Sequence, residues 1–75
     1  KSVSKGAYKK FLGTQFIYIN TGLSFFEKRL TYTHELGHSI IHPDVDTFEL
    51  KRTDPLSLTR YENEANLFAA EFLLS

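Results

Sequence analysis

The hydrophobic positions of this chain change period several times, and each change predicts an element. Over residues 1–12, Val3, Ala7, Tyr8, Phe11 and Leu12 share one side of a helical wheel, which predicts a short N-terminal helix closed by Gly13. From Gln15 to Asn20 the pattern becomes a run of β-branched and aromatic residues, Phe16-Ile17-Tyr18-Ile19. Gly13 and Asn20-Thr21-Gly22 bound that run as turn signals, so it reads as a strand. Ser24-x-x-Glu27 has the form of a capping box, in which two side chains satisfy orphan N–H groups of a first helical turn. After it, Phe26, Leu30, Leu36 (or Gly37), Ile40 and Ile41 recur as one apolar face, predicting a helix to about His42. Pro43 stops that helix, because proline disfavours helical geometry in the residue before it. The following stretch to Ser57 reads as a polar connection, with a short extended piece at Thr47–Lys51 where polar and apolar residues alternate. Asp54-Pro55 predicts the cap and first turn of a last helix, and Thr59-x-x-Glu62 offers a second capping box slightly later. Tyr61, Ala65, Phe68, Ala69 and Phe72 supply the buried face of that helix.

Composition sets the scale. Seventy-five residues make one domain, 1–75, and a chain of this length buries only around 60% of its unfolded surface. Seven Phe and four Tyr help, since each aromatic buries a large area, but there is no cysteine to form a disulfide staple. A bound metal is the other common staple in small domains. The chain opens at Lys1 without methionine and ends on Leu73-Leu74-Ser75, so the domain is expected to be a piece or core of a longer protein. Nine basic residues balance nine acidic ones, which argues against direct nucleic-acid binding; Lys1, Lys5, Lys9 and Lys10 read as a solvated face. No apolar run approaches membrane-spanning length and no signal peptide is visible. Absence of cysteine is in keeping with a cytoplasmic setting.

One stretch of the second predicted helix carries chemistry. His34-Glu35-Leu36-Gly37-His38 has the H-E-x-x-H form of zinc peptidases. Residues four apart on a helix stand one above the other, with Cβ atoms roughly 5–6 Å apart. Two imidazoles at that separation converge on one ion at about 2.0–2.1 Å per Zn–N bond. Glu35 lies beside the ion without binding it, placed to take a proton from an activated water. The bland alternative is an amphipathic helix with histidines on its solvent face. That gives no reason why all three histidines fall within nine residues, nor why Gly37 sits mid-helix at a cost of about 1 kcal/mol relative to alanine. Something that must approach the backbone closely there would account for the glycine.

A catalytic zinc usually has three protein ligands and an open position. His42, Asp44, Glu62, Glu64 and Glu71 are the candidates for the third. Along a helix His34 and His42 are about 12 Å apart, too far to share an ion, so His42 reads as a helix-end residue favoured by the dipole. Asp44 stands where a third ligand falls in the H-E-x-x-H-x-x-G-x-x-H/D type, but that type needs glycine at position 41, which here is Ile. On the last helix Glu62 and Glu64 border opposite sides of the apolar stripe, and Glu71 shares the border of Glu64. Helical geometry does not choose among the three.

The two motifs together resemble the ImmA/IrrE family of metallopeptidases. That family pairs H-E-L-G-H-x-x-x-H with a downstream E-A-N-x-F-A-A-E-x-L-[LM]. The matching residues here are His34 to His42 and Glu64-Ala65-Asn66-Leu67-Phe68-Ala69-Ala70-Glu71-Phe72-Leu73-Leu74, and Ile17-Tyr18-Ile19-Asn20 looks like the family's strand before the zinc helix. The resemblance implies an α+β fold: a small zincin-like domain with the H-E-x-x-H helix, a second ligand-bearing helix and a short β-sheet. It implies Zn2+ held by His34, His38 and Glu64 in a gluzincin-like set, Glu35 as general base, and Asn66, Phe68 and Glu71 positioning the last helix. Family members often have proline where this chain has Ser75, and usually continue into further C-terminal helices.

The function implied is zinc-dependent endopeptidase activity, with site-specific cleavage of a helix-turn-helix transcriptional repressor in a phage or mobile-element stress switch. Tyr61, Tyr18 and Arg60 are candidate oxyanion donors. The strand Gln15–Asn20 is a candidate to pair with an extended substrate. The competing class is a non-catalytic zinc-binding module that binds a transcription-factor partner, against which the intact Glu35 argues. A third reading is a small α+β domain without metal.

Overall fold

The first two elements form a hairpin. In a computed structural model, which describes residues 4–74, β1 spans Gly6–Phe11 and β2 spans Thr14–Ile19. They pair antiparallel in a register running from Gly6 opposite Ile19 to Phe11 opposite Thr14. Leu12 and Gly13 make the two-residue turn, both with positive φ (50° and 80°), the backbone that matches the twist of paired strands. Asn20 donates its backbone N–H to Lys5 O at 2.8 Å and extends the ladder. The helix expected over residues 1–12 is therefore corrected to a strand from Gly6 onward; Lys1 and Val3 lie outside the described residues. The physical reason is that a helix of about a dozen residues is marginal alone, whereas this segment has an apolar strand beside it to pair with. Gly13 ends no helix; it turns the hairpin.

Helix α1 spans Phe25–Ile41 and starts as its sequence dictates. Glu27 N–H donates to Ser24 Oγ at 3.1 Å, and Ser24 N–H to Glu27 Oε1 at 3.3 Å, completing the capping box. His42 caps the C-terminus immediately before Pro43. The buried face of α1 is not the apolar set read from the periodicity. It is Thr31, Thr33, Glu35, Gly37 and His38, while Phe26 and Ile40 are 67% and 58% exposed.

The connection to the last helix is itself partly helical. Helix α2 spans Thr47–Thr53, capped by Asp46, whose Oδ1 accepts from Glu49 N–H at 3.0 Å. Glu49 in the first turn and Lys51 and Arg52 in the last complement the helix dipole, which corrects the extended reading of Thr47–Lys51. Helix α3 spans Pro55–Leu74. Its first turn is fastened by Asp54, whose carboxylate accepts from the Ser57 backbone N–H at 3.4 Å and from the Ser57 hydroxyl at 2.7 Å. The start is thus at Pro55. Thr59 lies inside the helix, with its hydroxyl donating to Pro55 O at 3.1 Å, so the second capping box does not form and Glu62 is left for the interior.

Helices α1 and α3 cross at Gly37. A Cβ added there would lie 3.1 Å from Phe68 Cδ1 and 3.3 Å from both Cα and O of Ala65. Ala65 and Ala69 are buried at this crossing, where small residues allow the backbones to approach. The hairpin is fixed to the C-terminal end of α1 by Tyr8, which is fully buried. Its hydroxyl donates to Pro43 O at 2.6 Å and accepts from Gln15 Nε2 at 3.0 Å; Gln15 Nε2 also donates to Ser39 O at 3.0 Å. Contacts of β1 with α1, α1 with α3, α3 with α2, and α2 with β1 close a ring of elements. Among the described residues no helix is long and apolar enough to cross a membrane.

Candidate metal centre

Within that ring, α1 presents His34 and His38 on one face, one turn apart. Their rings meet edge to face with centroids 4.8 Å apart. Glu62 arrives from α3, and Oε1 lies 2.7 Å from His34 Nε2 and 2.8 Å from His38 Nε2. The two Nε2 atoms are 3.2 Å apart. Glu62 comes first among the α3 carboxylates because of the crossing at Gly37. Glu62 stands one turn before Ala65, the residue of α3 that meets Gly37, and so lies on the face of α3 turned toward α1.

The electrostatics follow from burial and from this convergence. Hydrogen bonds from His34 and His38 hold the Glu62 carboxyl far below the usual range, at about 2. Burial pulls His34 down, but the bond to Glu62, its charge, that of Glu35 and the Asn66 side chain together raise it. Glu35 is only 6% exposed, and burial pushes its carboxyl up against the opposing pull of His34 and His38. Glu35 Oε1 is buried and has no hydrogen-bond partner.

Two imidazole nitrogens and one carboxylate oxygen facing a common point suit a divalent ion of borderline softness. Among the described residues His34, His38 and Glu62 form such a group, with donor atoms all within 4.8 Å of one another. The unpartnered Glu35 oxygen adds an acceptor beside it. The donor set and the orphaned oxygen both accommodate a metal with an adjacent water.

The structure thus brings together His34, Glu35 and His38 as expected from the sequence, but the third position differs. Glu64, expected there from the resemblance, points elsewhere: Oε1 is 3.3 Å from His42 Nδ1. Two residues on along a helix is more than half a turn, so Glu62 and Glu64 cannot face the same point. The signal for Glu62 lay in Gly37 and Ala65, two small residues that mark where the helices touch. Asp44 pairs with Lys10 at 2.9 Å, and Glu71 is exposed. His42 does end α1, yet its side chain is buried and bonded to the site, with Nε2 2.6 Å from His38 Nδ1. Burial, then the nearby His38, lower its pKa. Of the expected oxyanion donors, Tyr61 packs on His42 with centroids 4.8 Å apart and Arg60 lies over the Tyr61 ring.

A cleft of about 130 Å³ opens at Glu35 and Glu62, walled by Gly6 and Ala7 of β1, Thr47, Phe48 and Lys51 of α2, and Leu58. A wider trough of about 510 Å³, which includes Tyr18 and Ile19, continues from it along the hairpin past Phe48. The strand beside Glu35 is therefore β1, not the Gln15–Asn20 strand. Tyr18 lines the trough; Tyr61 and Arg60 line neither the trough nor the cleft.

A helix-borne histidine pair, a buried carboxylate between them in sequence and a glutamate from a second helix form an arrangement suited to a metallopeptidase. The comparison with known proteins agrees: the chain belongs to the Peptidase_M78 family, matching its IrrE N-terminal-like domain over residues 1–75. It is 41% identical over 69 residues to a protein of Bacillus phage phi105 named uncharacterized immunity region protein 2, covering 92% of this chain and 44% of that one. It is 32% identical over 59 residues to metallopeptidase ImmA of Bacillus subtilis (strain 168), covering 79% of this chain and 34% of that one. The chain thus spans less than half the length of these curated relatives. No solved structure matches it significantly.

Proposed function

We propose that the protein is a zinc-dependent endopeptidase, with His34, His38 and Glu62 holding the ion and Glu35 as general base. The observation that carries this reading is the convergence of those three donors beside the buried, unpartnered Glu35 Oε1. When bound, the ion supplies a Lewis acid for water and for the scissile carbonyl. Glu35 takes the proton of the attacking water at Oε1 and passes it to the leaving amine. An extended peptide lying along β1 would have Phe48 and Lys51 of α2 on its opposite side.

The substrate implied by the resemblance is a helix-turn-helix repressor, cut at one site in the cytoplasm, and a relative named for a phage immunity region supports that reading. A non-catalytic zinc module would have no use for a buried carboxylate oxygen left without a partner. The test is Glu35→Gln. The variant is expected to retain about one zinc per chain and to lose cleavage of the helix-turn-helix repressor that the wild type cuts. Full cleavage by Glu35→Gln would refute the assigned base, and a zinc-free wild type after zinc addition would refute the metal site.

A further inference from the structure

We infer that His42 and Glu64 form an outer support of the metal site, in which His42 fixes the tautomer and orientation of His38 and Glu64 steadies His42. The inference rests on the metal-site reading above and gives Glu64 a positioning role in place of a ligand's.

His38 is 1% exposed, and both of its ring nitrogens are engaged. Nε2 faces Glu62 and His34; Nδ1 is 2.6 Å from His42 Nε2. For Nε2 to offer its lone pair to an ion, the proton of neutral His38 must sit on Nδ1. It then donates to His42 Nε2. That places the proton of neutral His42 on Nδ1, a buried atom without a hydrogen-bond partner whose nearest carboxylate oxygen is Glu64 Oε1, at ion-pair distance. One requirement at the ion therefore sets the protons of the whole row, and the row ends beside a carboxylate at ion-pair distance. Metal-binding histidines generally donate their second N–H to such an outer partner, and losing it typically costs 10–100-fold in metal affinity.

The His42 ring is held for this task. It lies between the rings of His38 and Tyr61, with centroid distances of 4.9 Å and 4.8 Å. Its backbone N–H donates to His38 O at 3.2 Å and closes the helix whatever the side chain, so the side chain is not needed as a cap.

The experiment is zinc affinity by chelator competition, together with the visible spectrum of the cobalt(II)-loaded protein, for wild type and for Glu62→Ala, Glu64→Ala, His42→Ala and His42→Gln. Nitrogen-15 NMR of the zinc-loaded wild type reads the His38 tautomer. The expected result is that Glu62→Ala loses stoichiometric zinc, and that Glu64→Ala keeps it with weakened affinity. His42→Ala binds roughly 10–100-fold more weakly with an altered cobalt spectrum. His42→Gln, whose carbonyl accepts from His38 Nδ1–H, recovers most of the loss. Should His42→Ala not fold, the wild-type NMR decides, with a His38 Nδ1 proton held in a hydrogen bond to His42 Nε2 supporting the inference and an Nδ1 proton not bonded to His42 overturning it. A bare Nδ1, a folded His42→Ala with unchanged affinity and spectrum, or loss of stoichiometric zinc on removing Glu64 but not Glu62 would overturn it. Wild type that binds no zinc would instead sink the metal-site reading on which it stands.

Discussion

Replacing Gly37 by alanine sets two effects of known size against each other. At an open helix position the change stabilises by about 1 kcal/mol, because glycine is the poorer helix former. Here the new methyl would stand 3.1 Å from Phe68 Cδ1 and 3.3 Å from two backbone atoms of Ala65. The Phe68 ring can swing, but the Ala65 backbone moves only if α3 moves. Overpacking of this kind costs about 1–3 kcal/mol. The expected net is a loss of about 1 kcal/mol, a fall in melting temperature of roughly 4–8 °C for a domain of this size. Thermal melts followed by far-UV circular dichroism in chelator measure the folding part alone. Zinc competition measures the second consequence, since any retreat of α3 carries Glu62 away from His34 and His38. Adding Phe68→Leu should recover only part of the loss, because the Ala65 contacts remain. A Gly37→Ala protein that melts higher and binds zinc as tightly as wild type would refute the close crossing, and with it the explanation of why Glu62 is the carboxylate that reaches the histidines.

Further outcomes follow from other contacts. Gly6→Ala puts a Cβ 2.6 Å from Thr31 Cγ2 and from Tyr18 O, so it should destabilise by about 1–3 kcal/mol in chemical denaturation; an unchanged midpoint would contradict the seating of β1 on α1. In metal-free protein the Glu62 carboxyl is held at about 2 against an ordinary 4.5. Its contribution is then complete above about pH 4.5 and disappears as pH falls toward 2, so the stability gap between wild type and Glu62→Gln should narrow across that window. A gap independent of pH would mean that the histidines do not bond the ionised carboxylate. Zinc at about 100 times its dissociation constant should add about 2.7 kcal/mol of stability, removed by chelation; equal melts with and without chelator would leave the metal no part in folding.

Local signals along the chain were the most legible. Ser24 with Glu27, Pro43, and Asp54-Pro55 mark helix boundaries that the structure keeps, because each acts on backbone groups within a few residues of itself. The α+β class came from the strand read at Gln15–Asn20 beside these helices and from the family resemblance. The first strand was hidden because Ala7, Tyr8 and Phe11 satisfy a helical wheel as readily as a pairing edge, and only the partner strand decides between the two. Helix α2 was hidden by an alternating stretch whose cap, Asp46, looked like one more polar loop residue. The apolar stripe of α1 misled for another reason. Periodicity locates the buried face only when the interior is apolar, and here the interior beside α1 is threonine, histidine and glutamate. His34, Glu35 and His38 were visible because one helix spaces them. Glu62 depends on a crossing between elements 28 residues apart, which no local pattern encodes.

Tyr8 gives this fold a built-in optical reporter. The chain has no tryptophan, so its near-ultraviolet signal comes mainly from tyrosine. Tyr18 and Tyr32 are about half exposed and Tyr61 partly so, whereas Tyr8 is wholly enclosed with its hydroxyl locked on the Pro43 carbonyl. Its absorption and its circular dichroism band therefore respond to the joint between hairpin and helix end. Separation of those two parts becomes visible in a cuvette, without a label.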